Sequence, residues 1–311
     1  MNSERMTLRW RCEYAAFLVL SALIRCLPRW VLPPRSPWLS ALVRGLAGHF
    51  RRIVDANLAM AFPEQPLSWR RRVAKQTFRH FAGILCELIR FRPRDAERVL
   101  GRMQISGLEH VARARAGGKG VIVFSAHFGN WEWLPLILSR KLGVSPFSIA
   151  RPLDNPRVEG WLSSLRQSTG GSIIYKHGSM RRLLRVLEDN GIVCLLIDQN
   201  TVPREAVFVE FFGQPAATNP IVARLRLERG TPLIPFFLHY QADGTMKAEF
   251  FPPIEAFGTG APARDVATLT QRLTRTIENQ IRANPEQWLW FHRRWKTKSP
   301  GDEHETQPTT T

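Results

Sequence analysis

From residue 104 onward the chain repeats one rhythm, a short apolar run, a polar turn and then a stretch with helical spacing. The apolar runs fall at 121–125, 146–150, 172–175, 193–197, 207–211, 233–239 and 246–251. Helical stretches fall at 131–142, 156–168, 179–190, 219–229 and 264–283. Short runs rich in β-branched and aromatic residues, such as Val121-Ile122-Val123-Phe124, predict buried strands. Strands joined through helices pair in parallel. The alternation therefore predicts an α/β fold with a mostly parallel central sheet flanked by helices. Residues 38–100 read instead as helices with Arg-rich faces, as in Arg70-Arg71-Arg72.

Charge narrows the class of partner. The chain of 311 residues carries a formal net charge of +18. Residues 1–100 hold 18 basic and 7 acidic residues, so the excess is concentrated there. Such an excess points to an anionic partner: nucleic acid, an anionic membrane or an anionic substrate. No zinc-finger spacing or RNP-type stretch supports nucleic acid. The N-terminal segment 1–36 carries Arg5, Arg9 and Arg11 and then an apolar run from Tyr14 to Ile24, broken by Arg25 and Pro28. A spanning helix needs ~20 apolar residues, about twice this run. The segment is expected to lie in a membrane interface, with Trp10, Tyr14 and Trp30 near the headgroups. A buried N-terminal helix is the alternative. The expected partition is thus a membrane-associating helix (1–36), a body (37–298, helical over 37–100 and α/β over 101–298) and a disordered polar tail (299–311).

Four cysteines stand far apart with no CxxC spacing, which fits neither a disulfide framework nor a zinc site. Gly117-Gly118-Lys119-Gly120 lacks the GKS/T ending of a phosphate loop, and no GxGxxG follows a strand. No metal and no cofactor is expected. Sites in parallel α/β sheets gather beyond the carboxyl ends of strands. There the chain places His127 after 121–125, Arg151 and Asp154-Asn155 after 146–150, Lys176 and His177 after 172–175, and Asp198-Gln199-Asn200 after 193–197.

His127 and Glu132 stand five residues apart, so they face each other only if the chain turns between them. Gly129 permits that turn, and Asn130 and Pro135 mark the helix start behind it. The pair is suited to acid–base work: neutral imidazole takes a proton from a hydroxyl, and a carboxylate holds its other nitrogen. Backbone N–H groups of the turn, around Gly129 and Asn130, are expected to border the substrate and stabilise an oxyanion. Ser125 lacks the GxSxG context of a hydrolase nucleophile.

His127-Phe128-Gly129-Asn130-Trp131-Glu132 matches the HX4(D/E) motif of glycerolipid acyltransferases and, in this form, closely resembles the bacterial lipid A biosynthesis (lauroyl/myristoyl) acyltransferases. Further stretches in the same order resemble that family: Asn57-Leu58 to Phe62-Pro63, Asp198-Gln199, Phe211-Phe212-Gly213, and Pro285 to Lys296. The resemblance implies transfer of an acyl chain from acyl carrier protein or coenzyme A to a lipid hydroxyl on the cytoplasmic face of the inner membrane. It implies His127 as general base with Glu132 as its partner, and Arg166 and Asp198 as substrate-site residues. Arg151 joins them by the strand-end argument alone. The acceptor is expected to be a lipid A precursor. A lysophospholipid or other glycolipid, or a lipid esterase using the same dyad, are the alternatives. Trp288–Lys296 is expected to close the domain by packing.

Overall fold

The computed structural model describes residues 7–28, 36–175, 179–256 and 258–299. Helices α1 (Leu8–Cys26), α2 (Pro37–Leu46), α3 (Gly48–Ala61), α4 (Leu67–Arg90) and α5 (Ala96–Leu100) come first. Then follow β1 (Met103–Ser106), α6 (Leu108–Ala116), β2 (Val121–Ser125), α7 (Leu134–Leu142), β3 (Phe147–Ala150), α8 (Pro156–Ser168), β4 (Ser172–Tyr175), α9 (Ser179–Glu188) and β5 (Ile192–Leu196). The chain closes with β6 (Val207–Phe211), β7 (Gln214–Thr218), α10 (Ile221–Arg229), β8 (Leu233–Tyr240), β9 (Met246–Phe250) and α11 (Pro262–Ala283). Lys176, His177, Trp30 and the tail beyond Ser299 lie outside the described residues.

Seven strands form one sheet in the order β1-β9-β8-β2-β5-β3-β4, and every neighbouring pair is parallel except β8 with β9. The expected mixed α/β architecture with a mostly parallel, helix-flanked sheet is therefore present. Strand β2 is buried at every position, as a central strand covered on both faces must be. The register Ser125↔Leu196 brings β2 and β5 to their carboxyl ends level with each other. Two residues further on, His127 and Asp198 emerge side by side.

Three local expectations are corrected. Residues 207–211 do not join the main sheet but pair antiparallel with β7 in a separate ribbon. Phe212 (φ 53°) and Gly213 (φ 72°) form a two-residue turn with both φ positive, which folds the strand back on its immediate successor. Strand β1 lies outside the expected set, because at the sheet edge its Met-Gln-Ile-Ser run is only half-buried and alternating. Strand β7, Gln-Pro-Ala-Ala-Thr, carries almost no strand-like composition and is held by its hairpin partner.

The N-terminal helices pack as a layer against α4. Ile24, Leu39, Cys86 and Ile89 form its small core. Arg90 donates to the carbonyls of Ile24 and Leu27, and Arg25 donates to that of Ile89. Among the described residues no helix is long and apolar enough to cross a membrane.

Candidate active site

The site begins with a break in the strand. Phe128 N–H donates to the Ala126 carbonyl (2.7 Å), closing a tight turn centred on His127 that throws its imidazole beyond the end of β2. Gly129 follows with φ +57°. A Cβ there would lie 1.7 Å from the Leu238 carbonyl oxygen, so only glycine fits. The C-terminal segment locks the turn from above. Gly129 N–H donates to the Gln287 carbonyl (2.9 Å), and Leu289 N–H donates to the His127 carbonyl (2.9 Å).

His127 meets Asp198. Its Nδ1 lies 2.9 Å from Asp198 Oδ1, and its backbone N–H donates to Oδ2 (2.9 Å). Trp288 Nε1–H donates to the same Oδ2 (2.7 Å). An ionised carboxylate only accepts, so Nδ1 carries a proton, and in the neutral ring the lone pair then belongs to Nε2. Asp198 is buried, whereas His127 keeps 19% of its side chain exposed. Burial alone would raise the Asp198 carboxyl. The His127 charge, its two hydrogen bonds and Trp288 outweigh that and hold it at about 2. Gln199, the residue after Asp198, brings its side-chain nitrogen to 3.4 Å from His127 Nε2.

The expected pairing of His127 with Glu132 differs from this geometry. Glu132 takes Arg166 in a two-pronged bridge, Nε to Oε2 at 2.9 Å and an Nη to Oε1 at 2.6 Å, and also accepts from Trp131 Nε1 (3.1 Å). Strand adjacency explains the difference. Asp198 stands beside His127 at the end of the neighbouring strand, whereas Glu132 sits one turn into the following segment and faces α8. Arg166 is likewise engaged by Glu132 instead of standing open. Burial would lower the guanidinium's pKa, but the Glu132 bridge raises it above its ordinary value. Arg151 is exposed just past β3.

Asn130 stands at the expected N-cap position, but it is completely buried and its side chain makes no cap hydrogen bond. Its Nδ2 donates to the Tyr240 hydroxyl (3.4 Å), which donates in turn to Glu87. Ser125 Oγ donates to the Phe236 carbonyl (2.6 Å) and is buried. Among the described residues no three His, Cys, Asp or Glu converge to hold a metal ion.

An apolar groove of about 290 Å³ runs between α1, α2, α3 and α4, lined by Ile24, Leu39, Val43, Phe50, Phe81 and Phe291 among others. It approaches the histidine through aromatic rings. Phe81 touches Phe291 (5.6 Å between centroids) and Trp131 (6.2 Å), and Trp131 stands edge-on to His127 (4.8 Å).

The family model for bacterial lipid A biosynthesis acyltransferases matches residues 3–297. The chain belongs to that family. It is 27% identical over 255 residues to the lipid A biosynthesis lauroyltransferase of Escherichia coli (strain K12), covering 80% of each chain. It is 25% identical over 280 residues to the myristoyltransferase of the same organism, covering 87% of this chain and 84% of the relative. It is also 27% identical over 206 residues to a phosphatidylinositol mannoside acyltransferase of Mycobacterium tuberculosis (strain H37Rv), covering 65% of this chain and 61% of the relative. The protein is thus an acyltransferase.

Sequence reasoning located His127 and placed Asp198 at the same sheet edge. It missed Trp288 as a direct partner of Asp198. Trp288 lies 90 positions from Asp198 in a stretch whose composition reads as packing, and nothing local announces the contact.

Proposed function

We propose that this acyltransferase moves a fatty acyl chain from an acyl thioester, carried by acyl carrier protein or coenzyme A, to a hydroxyl of a lipid A precursor at the cytoplasmic face of the inner membrane. The observation that carries this reading is the His127–Asp198 couple, linked through Trp131 and Phe81 to an apolar groove. His127 Nε2 takes the proton of the acceptor hydroxyl. The oxygen forms a bond to the thioester carbon, whose carbonyl becomes an oxyanion. That intermediate collapses with rupture of the carbon–sulfur bond, and the imidazolium returns its proton to the leaving thiolate. A thiol with pKa ~8.5 is a good leaving group, so no separate acid and no cofactor is required. Asp198 holds the productive tautomer and stabilises the imidazolium. The groove takes the acyl chain. The Glu132–Arg166 bridge stiffens the wall beneath the turn.

Membrane association is supported by exposed apolar side chains on the N-terminal layer: Leu18, Val19 and Leu23 of α1, and Trp38, Leu42 and Leu46 of α2. The acceptor rests on the names of the E. coli relatives. The mannoside-acylating relative supports a glycolipid acceptor as the second reading. The test is His127→Ala, assayed with acyl thioesters of acyl carrier protein or coenzyme A, with and without lipid A precursor, and with products weighed by mass spectrometry. Loss of acylated lipid with retained folding is expected. Transfer at the wild-type rate by this variant would overturn the general-base role, and thioester hydrolysis unaffected by acceptor would favour an esterase.

A further inference from the structure

The tetrahedral step develops negative charge on the former thioester oxygen, and an acyl-transfer site needs a donor aimed there. Three backbone amides of the turn are already committed. His127 N–H goes to Asp198, Phe128 N–H to the Ala126 carbonyl and Gly129 N–H to the Gln287 carbonyl. On the opposite wall, Asn200 N–H donates to His292 Nε2 (2.8 Å). The turn that would ordinarily form an oxyanion hole from its own backbone has thus spent these donors on holding its shape.

Gln199 brings a side-chain donor to the imidazole. Its position is fixed from both sides in sequence, by the buried Asp198 before it and by Asn200 after it, whose side chain also donates to Thr297 Oγ1 (2.9 Å). The Gln199 side chain itself is exposed and reaches His127 Nε2. Towards the lone pair of a neutral ring the carboxamide presents an N–H, not its oxygen. We propose that Gln199 is the oxyanion donor of this enzyme, a catalytic residue supplying a side-chain N–H to the thioester oxygen as the acceptor hydroxyl attacks.

The geometry makes the donation specific to the transition state. While Nε2 is unprotonated, the Gln199 N–H is directed at its lone pair. Once the acceptor hydroxyl docks, its own proton takes that lone pair, and as Nε2 becomes N–H it can no longer accept from Gln199. The displaced donor is left next to the attacking oxygen. The oxyanion is bonded to the same carbon as that oxygen, so the two lie within a short swing of one χ angle. A donor released as the charge forms stabilises the transition state more than the ground state, which is the condition for raising kcat.

This inference rests on the general-base reading of His127, and the experiment separates the two. Gln199→Ala, Gln199→Glu and Gln199→Lys are compared with His127→Ala, using the acyl carrier protein or coenzyme A thioester and the lipid acceptor that the wild-type enzyme turns over. Glu has the shape of Gln but no N–H, and Lys restores a donor of different shape. Loss of one oxyanion donor costs ~10²–10³ in kcat. The expected result is such a loss in the Ala and Glu variants with KM for both substrates within a few-fold of wild type, partial recovery in the Lys variant, and unchanged thermal unfolding. An unchanged kcat in Gln199→Ala, or a loss confined to acceptor KM, overturns the proposal while an inactive His127→Ala leaves the general base standing. Wild-type activity in His127→Ala overturns both.

Discussion

Glu132 and Arg166 are both largely buried, with 8% and 17% of their side chains exposed, and each satisfies the other. Removing one partner of such a bridge leaves a buried charge uncompensated, at a cost of about 3–5 kcal/mol. Glu132→Gln is therefore expected to lower the unfolding free energy by an amount in that range, read as a lower urea midpoint at unchanged m. The double variant Glu132→Gln/Arg166→Met should recover part of the loss, because no orphaned charge remains. A direct orienting role for Glu132 on His127 would give the opposite pattern, with activity lost at unchanged stability. The spacing of HX4E marks both residues in the sequence, but it does not say which carboxylate reaches the imidazole. That choice is made by strand order. The chain leaves β2, builds β3 and β4, and returns β5 to the space beside β2, so Asp198 arrives level with His127 from 71 residues away. The alternation of apolar runs announces strands and parallel pairing, not which strand lies next to which.

At the scale of elements, the site is a turn clamped by the C-terminal segment. Trp288 holds Asp198, Gln287 and Leu289 hold the turn, and His292 Nε2 accepts the Asn200 N–H. Accepting requires a neutral ring. Burial, acting first, with the nearby Arg294, His127 and Lys296 charges, pushes the His292 pKa down to about 4 against the opposing pull of Asp198. An ordinary histidine titrates near ~6.5. Between these values the unfolded chain binds a proton that the folded chain refuses, so stability rises with pH across that window. This contribution is complete above pH ~6.5 and is lost as pH falls towards about 4. The Asp198 carboxyl, held at about 2, loses its contribution at lower pH and does not overlap. His292→Gln keeps an acceptor without a titration. Urea unfolding at a series of pH values should show a shallower decline between 6.5 and 4 in the variant than in wild type. Parallel declines would mean that His292 is not held neutral. None of this clamp was legible in Trp288–Lys296 as a sequence. The run reads as aromatic packing, which it is, with Arg294 over the Phe211 ring at 5.2 Å. Its second role comes from polar tips on those same aromatic residues meeting groups up to 92 positions away.

For the whole molecule, the notable asymmetry is the placement of exposed apolar surface. Trp38, Leu42 and Leu46 are spaced four apart on α2, so they form one stripe on the outer side, while Leu39 and Val43 turn inward to line the groove. Leu18, Val19 and Leu23 of α1 and Phe50 of α3 are exposed on the same layer. The first 100 residues also carry most of the net positive charge. An apolar stripe beside basic residues suits a helix layer lying in the headgroup region, each basic residue near an anionic leaflet adding ~1 kcal/mol. On this arrangement the groove opens towards the lipid, and an acyl chain reaches the Trp131–His127 wall without crossing bulk water. Vesicles of mixed neutral and anionic phospholipid are expected to bind the protein, and binding should weaken with rising salt as counterions screen the contact. Replacing Leu42 and Leu46 by Glu removes insertion worth ~1.5–3 kcal/mol per side chain if fully buried in lipid, and adds repulsion. Vesicle co-sedimentation should therefore fall by at least tenfold, a factor of ten corresponding to about 1.4 kcal/mol. The thermal unfolding midpoint should stay near wild type, because both positions are exposed in the folded chain. Undiminished sedimentation by the double variant would place the lipid contact on another face, and the groove mouth would then open to water.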